Sequence, residues 1–561
     1  MSQNTDAKAI SRSFRALPDA SVSEGLYASL AYLNRIGVAL SSEKDINRLL
    51  ETILHAAKTI TNADGGTLYR VIDDHLKFEI VLNDSLDIAM GGTTGNDVPF
   101  YPIPLHQPDG VENTSMVAAY AALRDETVNI ADAYTADGFD FSGTRNFDKK
   151  TGYRSTSFLT IPMKNHDGEI IGVLQLLNAQ NIDGQVMSFT VEDQRLAESL
   201  ASQAAIALTN RMLITQLEIL FESLIELINT AIDEKSPYTG GHCKRVPTLT
   251  MMLAEAAAAV QEGPLADFRM TDKDRYELKI AGLLHDCGKI TTPVHVVDKA
   301  TKLEKIFDRI QMVSQRFDIL QRDAEISMLK AKLSAAETGD EEAARQAEET
   351  FYARSQQLDD DRAFLERANV GSERMSLQDQ ARVNRIACYP LEGSNGETVT
   401  FLTDDERDNL NIPYGTLNAT ERKIINHHID ATITMLEALP WPKHLKNVPE
   451  YAGGHHERMD GKGYPKGLSR AQMSIQARTM GIADIFEALT AKDRPYKPGK
   501  TLSESLQILG KLKQNGHIDP DLFDVFVRQR VYFKYAEQFL DPVQIDEVDQ
   551  ATIPGFDAAQ K

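Results

Sequence analysis

The sequence predicts a multidomain chain: an α+β domain with an antiparallel sheet, a long linker helix, and an all-α domain with an inserted helical hairpin. Three observations predict it. Residues 26–190 hold strand-like runs and a hairpin turn, and residues 191–235 contain neither Gly nor Pro. Residues 236–300 and 420–540 read as mostly helical, with two charged, helix-prone stretches between them. The chain has 561 residues. At roughly 150 residues per domain, about four domains is a ceiling, because long helices consume length without making cores.

Residues 1–25 are polar and rich in small side chains, and read as a loose tail. A helical pattern follows from Leu26, through Leu30, Leu33, Ile36 and Leu40, then Ile46, Leu49, Leu50 and Ile53. Strands are expected at Gly66–Val71 and Leu76–Val81. A hairpin is expected from Ser157–Met163, the turn Asn165-His166-Asp167-Gly168, and Ile170–Leu177. Residues 26–190 therefore read as one domain.

In the linker, residues 191–235, Leu213, Leu217, Leu220, Leu224 and Leu227 follow a 4-3-4-3 spacing, the seam of a coiled coil. Such a helix either packs inside one subunit or forms a parallel dimer stalk. Its place between a sensor-like and an enzyme-like half favours the homodimer. The second domain spans residues 236–540. Residues 302–335 and 341–370, broken at Thr338-Gly339-Asp340, read as an antiparallel hairpin inserted at 302–370. A turn-rich stretch near 388–418 returns the chain to the core, and 541–561 forms a C-terminal tail.

Composition excludes several classes. Apolar residues are 42% and charged residues 25%, ordinary for a globular chain. No apolar run approaches the ~20 residues that cross a bilayer, and Met1–Pro18 has no signal-type apolar core. The expectation is a cytoplasmic protein without a membrane anchor. A net charge of −22 argues against DNA as a partner, while leaving room for a basic pocket around a small phosphorylated ligand. The three cysteines, Cys243, Cys287 and Cys388, form no CxxC pair.

The histidines carry the chemistry. There are 13, and those of the second half keep telling company. Leu284-His285-Asp286-Cys287-Gly288-Lys289 sets an imidazole beside a carboxylate. His427-His428 and His455-His456 are adjacent pairs, and Ile482-Ala483-Asp484-Ile485 places a carboxylate in an apolar run. A lone buried His or Asp is usually a hydrogen-bonded core group. Several together in one helical domain are costly without a charge partner, and a metal pair removes the cost. One carboxylate can bridge two metals ~3.5–4 Å apart, an arrangement suited to phosphodiester hydrolysis. Mixed His and carboxylate donors suit iron, manganese, nickel or zinc better than calcium or magnesium. Lys289 shares a helix face with His285, four residues earlier.

His285-Asp286 with Lys289, and His455-His456-Glu457-Arg458-Met459-Asp460-Gly461-Lys462-Gly463-Tyr464-Pro465, resemble the two signatures of the HD-GYP family. Ala483–Thr490 followed by Asp493-Arg494-Pro495-Tyr496-Lys497, and Tyr238–His242 with Arg245, fit it as well. The resemblance covers about residues 225–300 and 420–540. It implies an all-helical phosphodiesterase opening cyclic di-GMP to linear pGpG, with a further step to GMP in some members. It also implies the metal ligands His242, His285, Asp286, His428, His455, His456 and Asp484, with Asp286 bridging two divalent ions, iron or manganese ahead of nickel or zinc. His428 is preferred to His427 because Thr432 and Leu436 fit the family's pattern after the ligand. Asp286 and Lys289 are the implied catalytic residues. Lys289, Arg494 and Lys497 would hold substrate phosphates, with Gly463, Tyr464 and Pro465 beside the site. Some members have a Glu four residues before the first ligand; here it is Tyr238. Two metals and a weak second hydrolysis are therefore expected. Glu487-Ala488-Leu489 spells the letters of an unrelated TIM-barrel phosphodiesterase and is read as ordinary helix composition.

The N-terminal domain resembles a GAF domain through Asn129–Tyr134, Phe147-Asp148, Thr151–Ser155 and Ile171–Asn178. The Asn-Lys…Phe-x3-Asp-Glu motif of cyclic-nucleotide-binding members is kept at Asn178, Phe189 and Asp193. It is broken at Ala179 and Gln194. The expectation is a regulatory domain with an unidentified small ligand. Two alternatives to cyclic di-GMP hydrolysis stay open: action on another cyclic dinucleotide such as 3′,3′-cyclic GMP-AMP, and a non-catalytic receptor.

Overall fold

A computed structural model describes residues 22–236, 241–371, 374–392, 396–492 and 499–557. It divides into two compact units, Met1–Phe221 and Glu222–Lys561.

The first unit runs α1 (Val22–Ser42), α2 (Ile46–Thr61), β1 (Ala63–Ile72), β2 (His75–Asn83), β3 (Ile88–Gly91), β4 (Ile103–Pro104), α3 (Val117–Arg124), β5 (Val128–Ile130), α4 (Ser142–Thr151), β6 (Phe158–Lys164), β7 (Ile170–Gln180) and β8 (Val186–Met187). The strands form one sheet in the order β3-β2-β1-β7-β6-β5, with β4 beside β2 and β8 beside β7. Every pairing is antiparallel. The β6–β7 hairpin is set by Asn165, whose Oδ1 accepts from the backbone of Asp167 and Glu169. Helix α2 starts where Asp45 accepts from the amides of Asn47 and Arg48 and stops at left-handed Asn62. Its Leu49, Leu50, Ile53 and Leu54 are buried with Leu68, Ile80, Leu174 and Leu176 of the sheet. Each such side chain contributes about 1.5–3 kcal/mol on burial. The Asn178 side chain accepts from the amides of Thr156 and Ser157 and donates to Tyr153 Oη, tying β7 to the loop before β6.

Helix α5 (Val191–Lys235) is continuous, and the division into units falls within it. Its Ala197, Leu200, Ala201, Ala204 and Leu208 belong to the first unit's core.

The second unit contains α6 (His242–Ala258), α7 (Asp272–Leu284), α8 (Val294–Val297), α9 (Ile310–Thr338), α10 (Glu341–Val370), α11 (Leu377–Ala387), the short pair β9 (Pro390–Glu392) and β10 (Thr398–Thr400), α12 (Asp404–Leu410), α13 (Ala419–Glu437), α14 (Val448–Gly453), α15 (Ile475–Thr490), α16 (Leu502–Gln514), α17 (Pro520–Arg528) and α18 (Val531–Phe539). Capping boxes set the starts of α7, α11, α12, α13 and α16. Helices α9 and α10 make the hairpin, whose base shares a core with Val383, Ile386 and Phe401.

Three local features depart from the sequence reading. The first hairpin helix starts at Ile310, not near 302, because Asn369 captures the amides of Lys302 and Leu303 and Asp308 accepts from Ile310. The turn-rich return carries β9, β10 and α12. The segment after 540 packs back, with Gln544 donating to the carbonyls of Thr490 and Lys500.

Candidate metal centre

Five chain segments of the second unit converge on one buried site. His242 is the first residue of α6, entered through Gly241 in the left-handed region. His285 and Asp286 follow α7, where the chain tightens into the 3-10 turn Cys287–Thr291 that carries Lys289. Helix α13 supplies His428, the turn after α14 supplies His455 and His456, and α15 supplies Asp484. His427 faces outward, 68% exposed, and pairs with Asp430.

The imidazoles are oriented by a repeated device. Nδ1 of His285, His428 and His455 each meets the carbonyl three residues earlier, at Gly282, Ile425 and Ala452, over 2.7, 2.5 and 2.6 Å. A carbonyl can only accept, so each Nδ1 carries the proton and each Nε2 holds a free lone pair. Those three Nε2 atoms are buried and have no hydrogen-bond partner, and the same holds for Oδ1 of Asp286. A buried unmet acceptor costs about 1–3 kcal/mol. Four aimed at one place call for a cation, and carbonyl-fixed imidazoles are the usual outer support of metal ligands.

Donor atoms of His242, His285 and Asp286 lie within 4.8 Å of one another, as do those of His428, His455 and His456. Asp286 joins the groups: Oδ2 is 3.1 Å from Nε2 of both His242 and His285, and Oδ1 is 3.3 Å from Nε2 of His428. Asp484 lies 3.3 Å from His242 Nε2. This donor set fits divalent metal.

Electrostatics agree with that fit. Burial pushes the Asp286 carboxyl up, but the Lys289 ammonium beside it holds it well below the usual carboxylate range. Burial opposes charge on Asp484 too, and the His242 contact keeps it ionised. Burial, then the neighbouring His456 and His285, hold His455 well below the ordinary imidazole value. Burial brings His456 down to about 4, so it is a neutral donor. Lys289 Nζ lies 2.6 Å from Asp286 Oδ2; burial opposes its charge, and Asp286 and Asp484 keep it protonated.

Sequence reading missed the supports behind these side chains. Glu487, 1% exposed, meets Nδ1 of His242 at 2.5 Å and is held by Arg245 Nε at 2.7 Å. It lies three residues after Asp484 on one helix face, a signal obscured by the discarded letter motif. Glu457 accepts from the amides of Lys466 and Leu468 and closes the loop that carries Tyr464. Two glycines allow close approach. A Cβ on Gly288 would stand 2.0 Å from the His428 carbonyl oxygen, and one on Gly463 would stand 2.4 Å from the Arg458 amide nitrogen.

A cavity of about 530 Å³ opens beside the centre. His456 and Asp484 contribute to its lining, with Gly463, Tyr464 and the cations Arg458, Lys462 and Lys500. Tyr464 stacks on His456 at 4.9 Å, and Pro465 follows it through a cis peptide bond. Tyr238, Arg494 and Lys497 lie outside the described residues.

Comparison with known proteins accords with both units. The GAF domain family matches residues 45–208, and HD domain families match residues 239–363 and 405–522. A 3′3′-cGAMP-specific phosphodiesterase of Vibrio cholerae is 46% identical over 81 residues, 14% of this chain and 19% of that one. A cyclic di-GMP phosphodiesterase of Pseudomonas aeruginosa is 45% identical over 74 residues, 13% of this chain and 17% of that one. A dual 3′,5′-cyclic-AMP and -GMP phosphodiesterase of Takifugu rubripes is 33% identical over 200 residues, 35% of this chain and 21% of that one. The chain thus spans about a fifth of the length of these relatives. Together the matches identify a GAF domain followed by an HD domain.

Proposed function

We propose that the chain is a phosphodiesterase of the HD-GYP type that opens cyclic di-GMP to linear pGpG. The observation that carries the reading is the set of four buried, unpartnered donors on His285, Asp286, His428 and His455. His242, His285 and Asp286 would hold one divalent ion, His428, His455 and His456 a second, with Asp484 completing the set and Asp286 shared. When bound, such a pair supplies positive charge for a phosphoryl group and hydroxide at neutral pH, and iron or manganese suits these donors ahead of nickel or zinc.

The chain's own residues supply the rest. Lys289, kept protonated beside Asp286, neutralises charge that develops on the phosphodiester. Arg458, Lys462 and Lys500 give the cavity cations for the second phosphate. Tyr464 and Gly463 form one wall. With Tyr238 at the position of the extra acidic ligand, turnover stops largely at the linear dinucleotide.

A second substrate, 3′,3′-cyclic GMP-AMP, is favoured by the 46% identity to a phosphodiesterase named for it. A non-catalytic receptor is disfavoured, since no expected ligand is missing. The GAF unit regulates the enzyme through a small ligand, supported by a cavity of about 360 Å³ walled by Phe78, Phe141 and Phe158. A parallel homodimer forms along α5, where Leu213, Leu217, Leu220, Leu224 and Leu227 are 45–65% exposed. The enzyme works in the cytoplasm, where cyclic dinucleotides are made. The test is anaerobic turnover of each dinucleotide with Fe(II) or Mn(II), products separated by chromatography. Linear product supports the reading, and tight binding without product in fully metallated protein overturns it.

A further inference from the structure

Helix α9 carries an apolar stripe that the fold leaves uncovered. Met312, Ile319, Ile326 and Leu333 recur every seven residues, and Leu329 follows Ile326 by three. All are exposed, from 43% at Met312 and Ile319 to 66% at Leu333. The other face of the helix, through Val313, Phe317 and Leu320, is buried in the core shared with α10. Helix α9 is therefore apolar on two sides, and the hairpin occupies one. A seven-residue apolar repeat is the pattern by which helices pair with helices.

The charges flanking the stripe select both partner and direction. Consider α9 against a second copy of itself, antiparallel about a two-fold axis between Ile326 and Leu329. Ile326 then meets Leu329 of the second copy, Ile319 meets Ala336, and the stem of Arg322 lies against Leu333. On one flank Asp323 faces Lys330; on the other, Glu325 faces Lys332. Symmetry repeats each pair. Among the described residues, Asp323, Glu325 and Lys330 have no ion-pair partner in their own chain, while Lys332 pairs with Glu348. Parallel pairing would also join Glu325 to Lys330, but it would set Asp318 against Asp323 and Arg322 against its own copy, like charges in both cases. The antiparallel register thus joins opposite charges on both flanks without a like-charge pair there, and its two-fold axis makes the interface isologous.

We propose that α9 is a homotypic interface, occupied by α9 of a second copy in antiparallel register. The paired length, Ile319 to Ala336, is about 27 Å at ~1.5 Å per residue. The surface lies on a different helix from the α5 seam and does not depend on catalysis.

Sedimentation equilibrium of the full metallated chain over a concentration series tests it, using exposed residues whose replacement leaves the core intact. Asp323→Lys and Lys330→Asp should each weaken the α9-dependent association about tenfold, since each turns two attractive contacts repulsive. The double variant Asp323→Lys/Lys330→Asp should restore it. Ile326→Glu should abolish it while the circular dichroism spectrum and metal content stay unchanged. Strengthening by Asp323→Lys would indicate the parallel arrangement and overturn the proposal. Association indifferent to all four variants, or a double variant no better than the singles, would overturn it equally.

Discussion

Glu487 touches His242 on the side away from the site: its Oε2 is 2.5 Å from Nδ1, while Nε2 faces Asp286 and Asp484. The contact fixes the ring and makes it a better donor. Arg245 in turn holds Glu487 at 2.7 Å. Outer carboxylates of this kind are worth 10–100-fold in metal affinity.

Glu487→Gln should therefore lower metal affinity by about one to two orders of magnitude while keeping the helical fold. Metal titration by calorimetry checks it. Unchanged affinity would reduce Glu487 to a structural partner of Arg245.

Close packing at Gly288 makes a second prediction. Its amide donates to Thr432 Oγ1 at 2.9 Å, and a Cβ there would collide with the His428 carbonyl. Gly288→Ala should cost about 1–3 kcal/mol of stability and reduce metal content by displacing His428. Gly143→Ala, where an added Cβ meets nothing within 4 Å, is the matched control and should be near neutral in thermal unfolding.

Much of this architecture was legible in residue spacing. Period-two runs and the Asn165–Gly168 turn located the β6–β7 hairpin, and His285-Asp286 with the two His pairs marked the segments that meet at the centre. What spacing could not supply was the supporting shell. Glu487 and Glu457 look like ordinary helix and loop acids until the fold buries them at 1% and 4% exposure. The start of α9 was misplaced for a related reason. Lys302–Arg309 has helical composition, but Asn369, more than 60 residues later, takes its backbone donors. Tertiary partners override local propensity in both cases.

Lys302 offers a pH signature. It is fully buried, donating to the Leu410 carbonyl at 3.1 Å. Burial pulls its ammonium down to about 8. The folded value lies below that of the unfolded chain, near 10.5. Between the two, the unfolded chain binds more protons, so native stability rises with pH. Wild type should gain on Lys302→Met as pH climbs from about 8 to 10.5 and show a constant difference below that window. Denaturant unfolding across pH checks the sign; a gap that grows toward acid would contradict it.

The α5 seam predicts that Leu217→Glu with Leu224→Glu raises the dissociation constant of the dimer at least about tenfold. Light scattering at micromolar concentration reads it. A wild-type chain that is monomeric there would remove the stalk.

Asp286 stands at the centre of the account, shared by both histidine groups and held by Lys289. The most direct test is anaerobic turnover of cyclic di-GMP by wild type and Asp286→Ala, with metal content measured on the same samples. Wild type should give linear pGpG with about two metals per chain, and the variant should lose both turnover and metal. Undiminished turnover by Asp286→Ala would contradict it.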